Sequence, residues 1–308
     1  MNNTYQIYPI WNGEPVKELS TITDALWDFD ELEVAKLWSY YGTRGQGVNT
    51  YIIDSGVDAD HLVFRHQKPK AKSFIPGVAD FEDRSGHGTW VAGKVGGDGI
   101  GIAPKCNLTC LRTLDDSGVG DVQYSVNALK YILEKEENPH IVNMSLGGLS
   151  SSRDQERIIN ELYEKGTIVV AAAGNMNTNT PFFPAAFEKV IAVSALTRQD
   201  VKADFSNYGY NIDVSAPGVA CYSSYLGDTY REMSGTSMAS PIVTGILTLG
   251  VSFILGKHKD IQKFRIRELI ISALQESAKD IGEKGKDIYY GFGELNGVNF
   301  MKTLEKYL

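Results

Sequence analysis

Hydrophobic positions along the chain alternate between short β-branched runs and longer stretches with helical spacing. The short runs are typical of strands that are buried on both faces. Such strands are predicted at 51–54, 107–111, 141–145, 167–172 and 190–195. The helical spacing predicts helices at 24–41, 87–95, 121–136, 154–165 and 260–277, with a further helix that begins near residue 237. Alternating strands and helices predict an α/β fold in three layers, with a mostly parallel central sheet and helices on both faces.

Three polar residues that could carry chemistry stand where a predicted element begins or ends. Asp54 closes a strand, His87 lies between two glycines at a helix start, and Ser237 follows a glycine turn. Such positions display side chains to a site. A serine hydroxyl becomes a nucleophile only when a base lies within reach and a third group orients that base. Each residue alone also fits a plain role, as a turn acid or as a helix cap.

The stretches that hold these residues, 51–58, 86–93 and 235–241, closely resemble the Asp, His and Ser motifs of the subtilisin-like serine proteases, the subtilases. Residues 168–175 resemble the oxyanion strand of that family, and residues 141–148 resemble its substrate-binding strand. The matches run in family order through nearly the whole chain, from about Val48 to Phe300. The resemblance implies a serine endopeptidase that hydrolyses protein or peptide substrates through an acyl-enzyme intermediate.

The family resemblance also implies a role for each residue. His87 would take the proton of Ser237, and Asp54 would fix the tautomer of His87. Asn175 would stabilise the oxyanion from its side chain, with help from the backbone N–H of Ser237. No cofactor is required for this chemistry.

An extended substrate is expected to lie between two edges, Gly118-Val119-Gly120 and Ser145-Leu146-Gly147-Gly148, by strand addition. Val122 and Leu146 are expected to line an apolar pocket several residues upstream of the cleaved bond. Phe182 is expected near the base of the primary specificity pocket and would make it shallow.

Some loops depart from the usual subtilase pattern and are nearer the proteinase K-like branch. Trp90 and Ile242 replace two histidines that are not catalytic in the family, which indicates repacking near the Ser237 helix. Asp213 resembles a calcium ligand of that branch, where backbone carbonyls matching Glu188 and Val190 would complete a structural Ca²⁺ site. A solvated aspartate explains Asp213 equally well.

Residues 1–24 are interpreted as an extension and residues 25–308 as the peptidase domain. Gln6-Ile7-Tyr8-Pro9-Ile10 loosely resembles the short N-terminal extension of intracellular subtilases, which crosses the active site. Pro9 could hold the scissile bond out of register, since proline has a fixed φ and no N–H. A disordered or surface-packed terminus is the alternative.

Composition narrows the range of partners. The 308-residue chain has a formal net charge of −8 and no basic stripe, which argues against nucleic acid and against polybasic membrane anchoring. The first 24 residues show no signal-peptide pattern, and the apolar run near 242–255 is too short to span a bilayer. Three cysteines suggest no disulfide scaffold. A cytoplasmic protein is therefore expected, with no prediction of its oligomeric state.

Two other functions compete with the endopeptidase. A catalytically silent subtilase scaffold would not require Asp54, His87, Asn175 and Ser237 together. A serine esterase or lipase would be expected to carry the Gly-x-Ser-x-Gly elbow, which Ser237 lacks.

Overall fold

The computed structural model of the protein describes residues 3–8, 10–18, 26–135 and 140–308. The strands are β1 Thr4–Gln6, β2 Ile10–Val16, β3 Asn49–Asp54, β4 Lys70–Ser73, β5 Asn107–Arg112, β6 Val119–Asp121, β7 Ile141–Met144, β8 Ile168–Ala172, β9 Val190–Leu196, β10 Val214–Pro217, β11 Cys221–Tyr225 and β12 Thr229–Ser234. The helices are α1 Trp27–Glu31, α2 Val34–Tyr41, α3 His87–Gly96, α4 Val122–Leu133, α5 Arg153–Glu164, α6 Thr236–Lys257, α7 Lys263–Ser277 and α8 Gly297–Tyr307.

A parallel sheet forms the centre of the molecule, in the order β10-β9-β8-β7-β3-β5-β4. Neighbouring residues of its strands point to opposite faces, so Ile52 and Ile53 enter two separate cores. The core on one face contains residues of α3, α6, α7 and α8. The core on the other face contains residues of α4 and α5. The predicted three-layer α/β fold is confirmed.

Helix α6 crosses the first core and is long and strongly apolar. It has 22 residues and is buried from Thr236 to Ile254. It extends beyond the apolar run near 242–255, and its length and composition alone would suit a membrane span. However, 94% of its apolar window is buried inside the fold, as in the core helix of a globular domain. Pro241 is tolerated because the first turn of a helix does not need its N–H.

Some predicted boundaries were wrong, and several elements were missed. The helix predicted at 24–41 is broken into α1 and α2, because Glu33 adopts a left-handed conformation with φ 51°. Residue 24 lies outside the described residues, as does residue 136 at the end of another predicted helix. The missed elements are β4, β10, β11, β12 and α8, together with β1 and β2 of the N-terminal segment.

The N-terminal segment adds strands to two places on the domain. Strand β1 pairs antiparallel with β6, and Tyr5 lies opposite Gly120. Strand β2 pairs antiparallel with β12 and completes a sheet of order β11-β12-β2. The described parts of the predicted extension therefore lie against the domain.

A buried ion pair joins the first helix to α3. Lys94 Nζ lies 2.6 Å from Asp28 Oδ2, and neither side chain is exposed by more than 1%. Trp27, beside Asp28, donates from its indole nitrogen to the carbonyl oxygens of Val219 and Ala220, at 3.2 and 3.1 Å. These contacts fix α1 against the last turn of α3 and against the connection between β10 and β11.

Replacing one member of this pair should destabilise the fold strongly. In Lys94→Met the Asp28 carboxylate stays buried without its counter-ion, so we expect a loss of roughly 3–5 kcal/mol in the free energy of unfolding. Urea denaturation followed by circular dichroism measures the change.

The matched control is Lys36→Met, which removes a lysine from an exposed pair with Glu33. Its effect should stay within about 0.5 kcal/mol, because exposed ion pairs contribute little. Equal effects of the two variants would show that the buried pair contributes no more than a surface pair.

Candidate active site

Asp54 and His87 form a buried hydrogen-bonded pair at one edge of the central sheet. Asp54 is the last residue of β3, and His87 is the first residue of α3. His87 Nδ1 lies 2.8 Å from Asp54 Oδ1. Because an ionised carboxylate only accepts hydrogen bonds, Nδ1 carries a proton. In the neutral ring Nε2 then keeps its lone pair and can act as a base.

The glycines on both sides of His87 are required by close packing. Gly86 has φ 85°, and a Cβ built on it would lie 2.0 Å from the ring of Tyr225. A Cβ on Gly88 would lie 2.2 Å from the carbonyl oxygen of Gly56. Only glycine fits at either position, which explains the Gly-His-Gly sequence and the placement of His87 close to the end of β3.

Asp83 organises the start of α3, and the sequence analysis missed it. Its Oδ1 accepts from the backbone N–H groups of Ser85 and Gly86, at 3.0 and 2.9 Å. Its Oδ2 accepts from the N–H and the hydroxyl of Thr89, both at 2.8 Å. An acid just ahead of a helix start is a capping signal that could have identified this residue.

Ser237 is held at the same edge of the sheet through Ser145. The Ser237 hydroxyl donates to the carbonyl oxygen of Ser145 at 2.9 Å, and the Ser145 hydroxyl donates to that of Ser237 at 3.0 Å. Ser145 follows β7, which is the direct neighbour of β3. The parallel strands thus bring Ser237 to the edge where Asp54 ends.

The Ser237 hydroxyl bonds a carbonyl oxygen instead of the His87 ring. Within the described part of the chain, His87 Nε2 is buried and has no hydrogen-bond partner. Proton transfer therefore requires a rotation of the Ser237 side chain away from Ser145.

The side-chain amide of Asn175 is fixed in one orientation. Its Oδ1 accepts from the backbone N–H and the hydroxyl of Thr236, at 2.9 and 2.8 Å. Since the oxygen has two donors, the other end of the amide must be the nitrogen. Asn175 Nδ2 donates to the carbonyl oxygen of Tyr8 at 2.7 Å. An amide aimed in this way next to Ser237 can stabilise a developing oxyanion.

The N-terminal segment lies between the two predicted substrate edges. The backbone N–H of Gln6 donates to the carbonyl oxygen of Gly147 at 2.9 Å, and that of Ile7 donates to Gly118 at 3.1 Å. Gln6 also lies opposite Val119 in the pairing of β1 with β6. The two edges thus bind an extended chain by strand addition, and the carbonyl oxygen of Tyr8 lies at Asn175. The predicted effect of Pro9 concerns a residue outside the described ones.

The side chain of Tyr5 fills the predicted upstream pocket. It is 1% exposed and belongs to the same buried cluster as Val122 and Leu146. Its hydroxyl donates to the side-chain oxygen of Gln155. The sequence analysis did not single out Gln155, because a lone glutamine on a helix gives no signal of its own.

Phe182 occupies the region expected for the primary pocket. Its side chain is buried, and Cβ atoms built on Gly147 and Gly174 would lie 2.4 and 3.0 Å from its ring. The ring centroids of Tyr8 and Phe182 are 6.4 Å apart. The space left beside them, next to Ser237, is about 10 Å³. Tyr8 therefore packs on Phe182, and little space is left beside the two rings among the described residues.

The residues proposed for calcium do not fit a cation site. Lys286 Nζ lies 3.1 Å from Asp213 Oδ1, and the backbone N–H of Ala192 donates to Oδ2 at 3.0 Å. The ammonium group thus supplies the positive charge that a calcium ion would have brought. The Glu188 carboxylate is exposed and pairs with Lys189 at 2.9 Å, and Val190 begins β9. The interpretation of Asp213 as a calcium ligand is therefore corrected, while the part assigned to the backbone carbonyls of Glu188 and Val190 stays a prediction.

One other carboxylate cluster is also neutralised by a lysine. Glu31, Asp200 and Glu294 have oxygens within 4.8 Å of one another. Lys279 Nζ lies 2.7 Å from Asp200 and 3.0 Å from Glu294. The Lys279 ammonium therefore already occupies the position between these carboxylates.

The cysteines take no part in this site. Cys106, Cys110 and Cys221 are free and buried. Burial raises the pKa of the Cys106 thiol to about 12 and raises the pKa values of the other two. These thiols stay protonated and are poor nucleophiles.

The chain is similar in sequence to known proteins of one family. Residues 45–293 match the subtilase family. A thermophilic serine proteinase of Bacillus sp. (strain AK1) is 34% identical over 304 residues, which cover 97% of this chain and 68% of the relative. Subtilisin DY of Bacillus licheniformis is 35% identical over 264 residues, which cover 83% of this chain and 91% of the relative. Subtilisin E of Bacillus subtilis (strain 168) is 33% identical over 265 residues, 83% of this chain and 66% of the relative.

The nearness to the proteinase K-like branch stays a prediction.

The matched segment contains Asp54, His87, Asn175 and Ser237, which the fold brings to one edge of the sheet. The chain therefore belongs to the subtilase family, and it is a serine endopeptidase of the Asp-His-Ser type.

Proposed function

We propose that Asp54, His87 and Ser237 are the triad of this endopeptidase and that its own N-terminal segment holds it in a resting state. The observation that carries the proposal is the 2.7 Å hydrogen bond from Asn175 Nδ2 to the carbonyl oxygen of Tyr8. That amide is the group expected to stabilise the oxyanion, and here a carbonyl of the same chain takes its hydrogen bond.

The chemistry follows from the positions of these groups. The Ser237 hydroxyl turns from Ser145 to His87, loses its proton to Nε2 and attacks the substrate carbonyl carbon. The negative charge on the carbonyl oxygen is stabilised by Asn175 Nδ2 and by the backbone N–H of Ser237. His87 then gives its proton to the leaving amine. Water repeats the sequence on the acyl-enzyme and regenerates Ser237.

Binding of the N-terminal segment and binding of a substrate exclude each other. Gln6 and Ile7 use the backbone hydrogen bonds of Gly147 and Gly118 that an extended substrate would use. In the sequence the bond after Tyr8 leads to Pro9. Because proline has no N–H and a fixed φ, this bond differs from an ordinary cleavage site. These features support a segment that binds in the cleft as a substrate does and stays there uncleaved.

The resting state predicts that weakening β1 raises activity. Gln6→Pro in the full chain removes the N–H that bonds Gly147, and we expect at least about a tenfold rise in initial kcat/KM, since one such bond contributes about 1 kcal/mol and the proline ring adds strain. Cleavage of a fluorogenic peptide during the first seconds measures the rise. A chain that lacks residues 1–20 should behave in the same way.

The control for this experiment is Lys17→Pro, which changes an exposed residue beyond β2. It should leave kcat/KM unchanged, and Ser237→Ala should show no cleavage and no labelling by a fluorophosphonate probe. If the full-length and truncated proteins have equal kcat/KM from the start of the assay, the segment is not an inhibitor.

The proposed oxyanion role of Asn175 predicts a loss in kcat. For Asn175→Leu, measured with Gln6→Pro in the background, we expect kcat to fall about 10²–10³-fold with little change in KM, a size established for an oxyanion-hole donor of subtilisin itself. Steady-state kinetics separates the two constants.

Thr236→Ser is the matched control, because it keeps the hydroxyl that bonds Asn175 Oδ1. It should stay close to the parent. A loss in Asn175→Leu that appears only in KM would show that the residue binds substrate without acting in the transition state.

The proposed role of Phe182 predicts a change in primary specificity. Phe182→Gly opens the space below Tyr8, so kcat/KM for substrates with Phe or Tyr at the cleaved position should rise about tenfold or more relative to Ala. Paired peptide substrates in the Gln6→Pro background measure the ratio. Phe183→Leu serves as control because that ring packs on Phe187. An unchanged ratio in Phe182→Gly would exclude Phe182 as the limit of the pocket.

A further inference from the structure

The pocket that holds Tyr5 is apolar on its sides and polar at its floor. We propose that Gln155 is a specificity-determining residue that selects tyrosine at the fourth residue upstream of the cleaved bond. This inference rests on the proposed function, in which residues 3–8 lie in the cleft as a substrate does. With the Tyr8 carbonyl at Asn175, Tyr5 occupies that fourth position.

The orientation of the Gln155 amide is set by the residues behind it. The Ser125 hydroxyl gives its proton to the carbonyl oxygen of Val122 at 2.7 Å, so it can only accept from Gln155. Gln155 Nε2 donates to Ser125 Oγ at 2.8 Å. The amide oxygen is therefore the end that faces the pocket, and it accepts from the Tyr5 hydroxyl. An acceptor in this position calls for a donor on the substrate.

When the pocket is filled, few other hydrogen-bond donors can reach the side-chain oxygen of Gln155. Gln155 is fully buried on α5, and Tyr5 is 1% exposed. A Cβ built on Gly148 would lie 3.1 Å from the Tyr5 ring, so one edge of the ring packs against that glycine. Burial raises the pKa of the Tyr5 phenol, which therefore stays protonated and able to donate at neutral pH. The shape suits an aromatic ring, and the floor suits its hydroxyl.

Phenylalanine has the same ring without the donor. Bound in this pocket, it would cover Gln155 Oε1 and leave that oxygen unpaired, and a site built around a hydrogen bond rejects the analogue that lacks it. We expect kcat/KM for tyrosine to exceed that for phenylalanine by about 10–100-fold at this position. Leucine should be rejected for the same reason.

The test uses full-length protein carrying Gln6→Pro and two chromogenic substrates, succinyl-Tyr-Ala-Ala-Ala-p-nitroanilide and its Phe-Ala-Ala-Ala counterpart. The ratio of their kcat/KM values is the readout. It should be about 10–100 in this background and should fall to about 1 or below in Gln155→Met, which has similar volume and no strong acceptor. Gln123→Met is the control, because Gln123 is exposed on α4 and bonds Asn127.

Ser125→Ala gives a second measurement, in which Gln155 at the floor of the pocket is kept. It frees the Gln155 amide to turn, so the ratio should fall to an intermediate value. This variant decides the question if Gln155→Met does not fold, as judged by circular dichroism and active-site titration.

A Tyr/Phe ratio near 1 in the Gln6→Pro background, or a high ratio that neither variant changes, overturns the inference. The resting state is judged separately, from the activity of Gln6→Pro relative to the parent. A high ratio that depends on Gln155 supports the role of the pocket whether or not the N-terminal segment inhibits.

Discussion

The two hydrogen bonds between Asn175 and Thr236 are the constraint on which the site depends. They join the end of β8 to the start of α6, and they consume both acceptor positions of the Asn175 side chain. The amide nitrogen is then the end that faces the carbonyl oxygen of Tyr8. A Cβ on Gly235 would come within 2.9 Å of Asn175 Nδ2, so this junction also requires glycine. The fold thus holds the amide of the proposed oxyanion donor in one orientation, and a preorganised donor of this kind needs no reorganisation during a reaction.

The rest of the fold keeps this junction rigid. Parallel strands place Asp54, Ser145 and Asn175 at one edge, because the carboxyl ends of β3, β7 and β8 coincide there. Helix α6 cannot shift without exposing apolar side chains along most of its length. The carboxylate of Asp83, which precedes α3, anchors the first turn of that helix. The fold thus attaches nucleophile, base and oxyanion donor to elements that are each fixed from a second side.

Much of this arrangement is readable from the sequence, because it depends on local patterns. The buried strands have β-branched runs, and His87 and Ser237 stand beside glycines that the packing requires. The two edges of the substrate cleft could be predicted because they too are local sequence patterns. The features that could not be predicted from the sequence depend on partners that are distant in the chain. Lys286 neutralises Asp213 from 73 positions away, and a mixed polar pattern conceals β11 and β12.

The N-terminal strands illustrate a different limit. Their sequence has no strong periodicity, so only the loose resemblance around Gln6–Ile10 drew attention to them. Their placement comes from main-chain pairing, which any sequence without proline at the wrong position can make. The sequence therefore suggests a segment that crosses the active site. The role proposed for Gln155 can be inferred only from the structure, in which Tyr5 contacts it. The cytoplasmic location and the lack of nucleic-acid or membrane partners stay predictions.

Covalent attachment would explain how so short a segment can occupy the cleft in the proposed resting state. Strand β2 pairs with β12, so residues 3–8 are tethered close to their site. A tether of this kind gives an effective concentration on the order of millimolar. If the free segment bound with a Kd of about 10 μM, the tethered one would occupy the cleft about 99% of the time. A competing peptide at micromolar concentration would then bind rarely. Cutting the chain between Tyr8 and the start of β2 would abolish that advantage without changing a single contact in the cleft. The contacts that we propose restrain the enzyme would then become those that its substrates use.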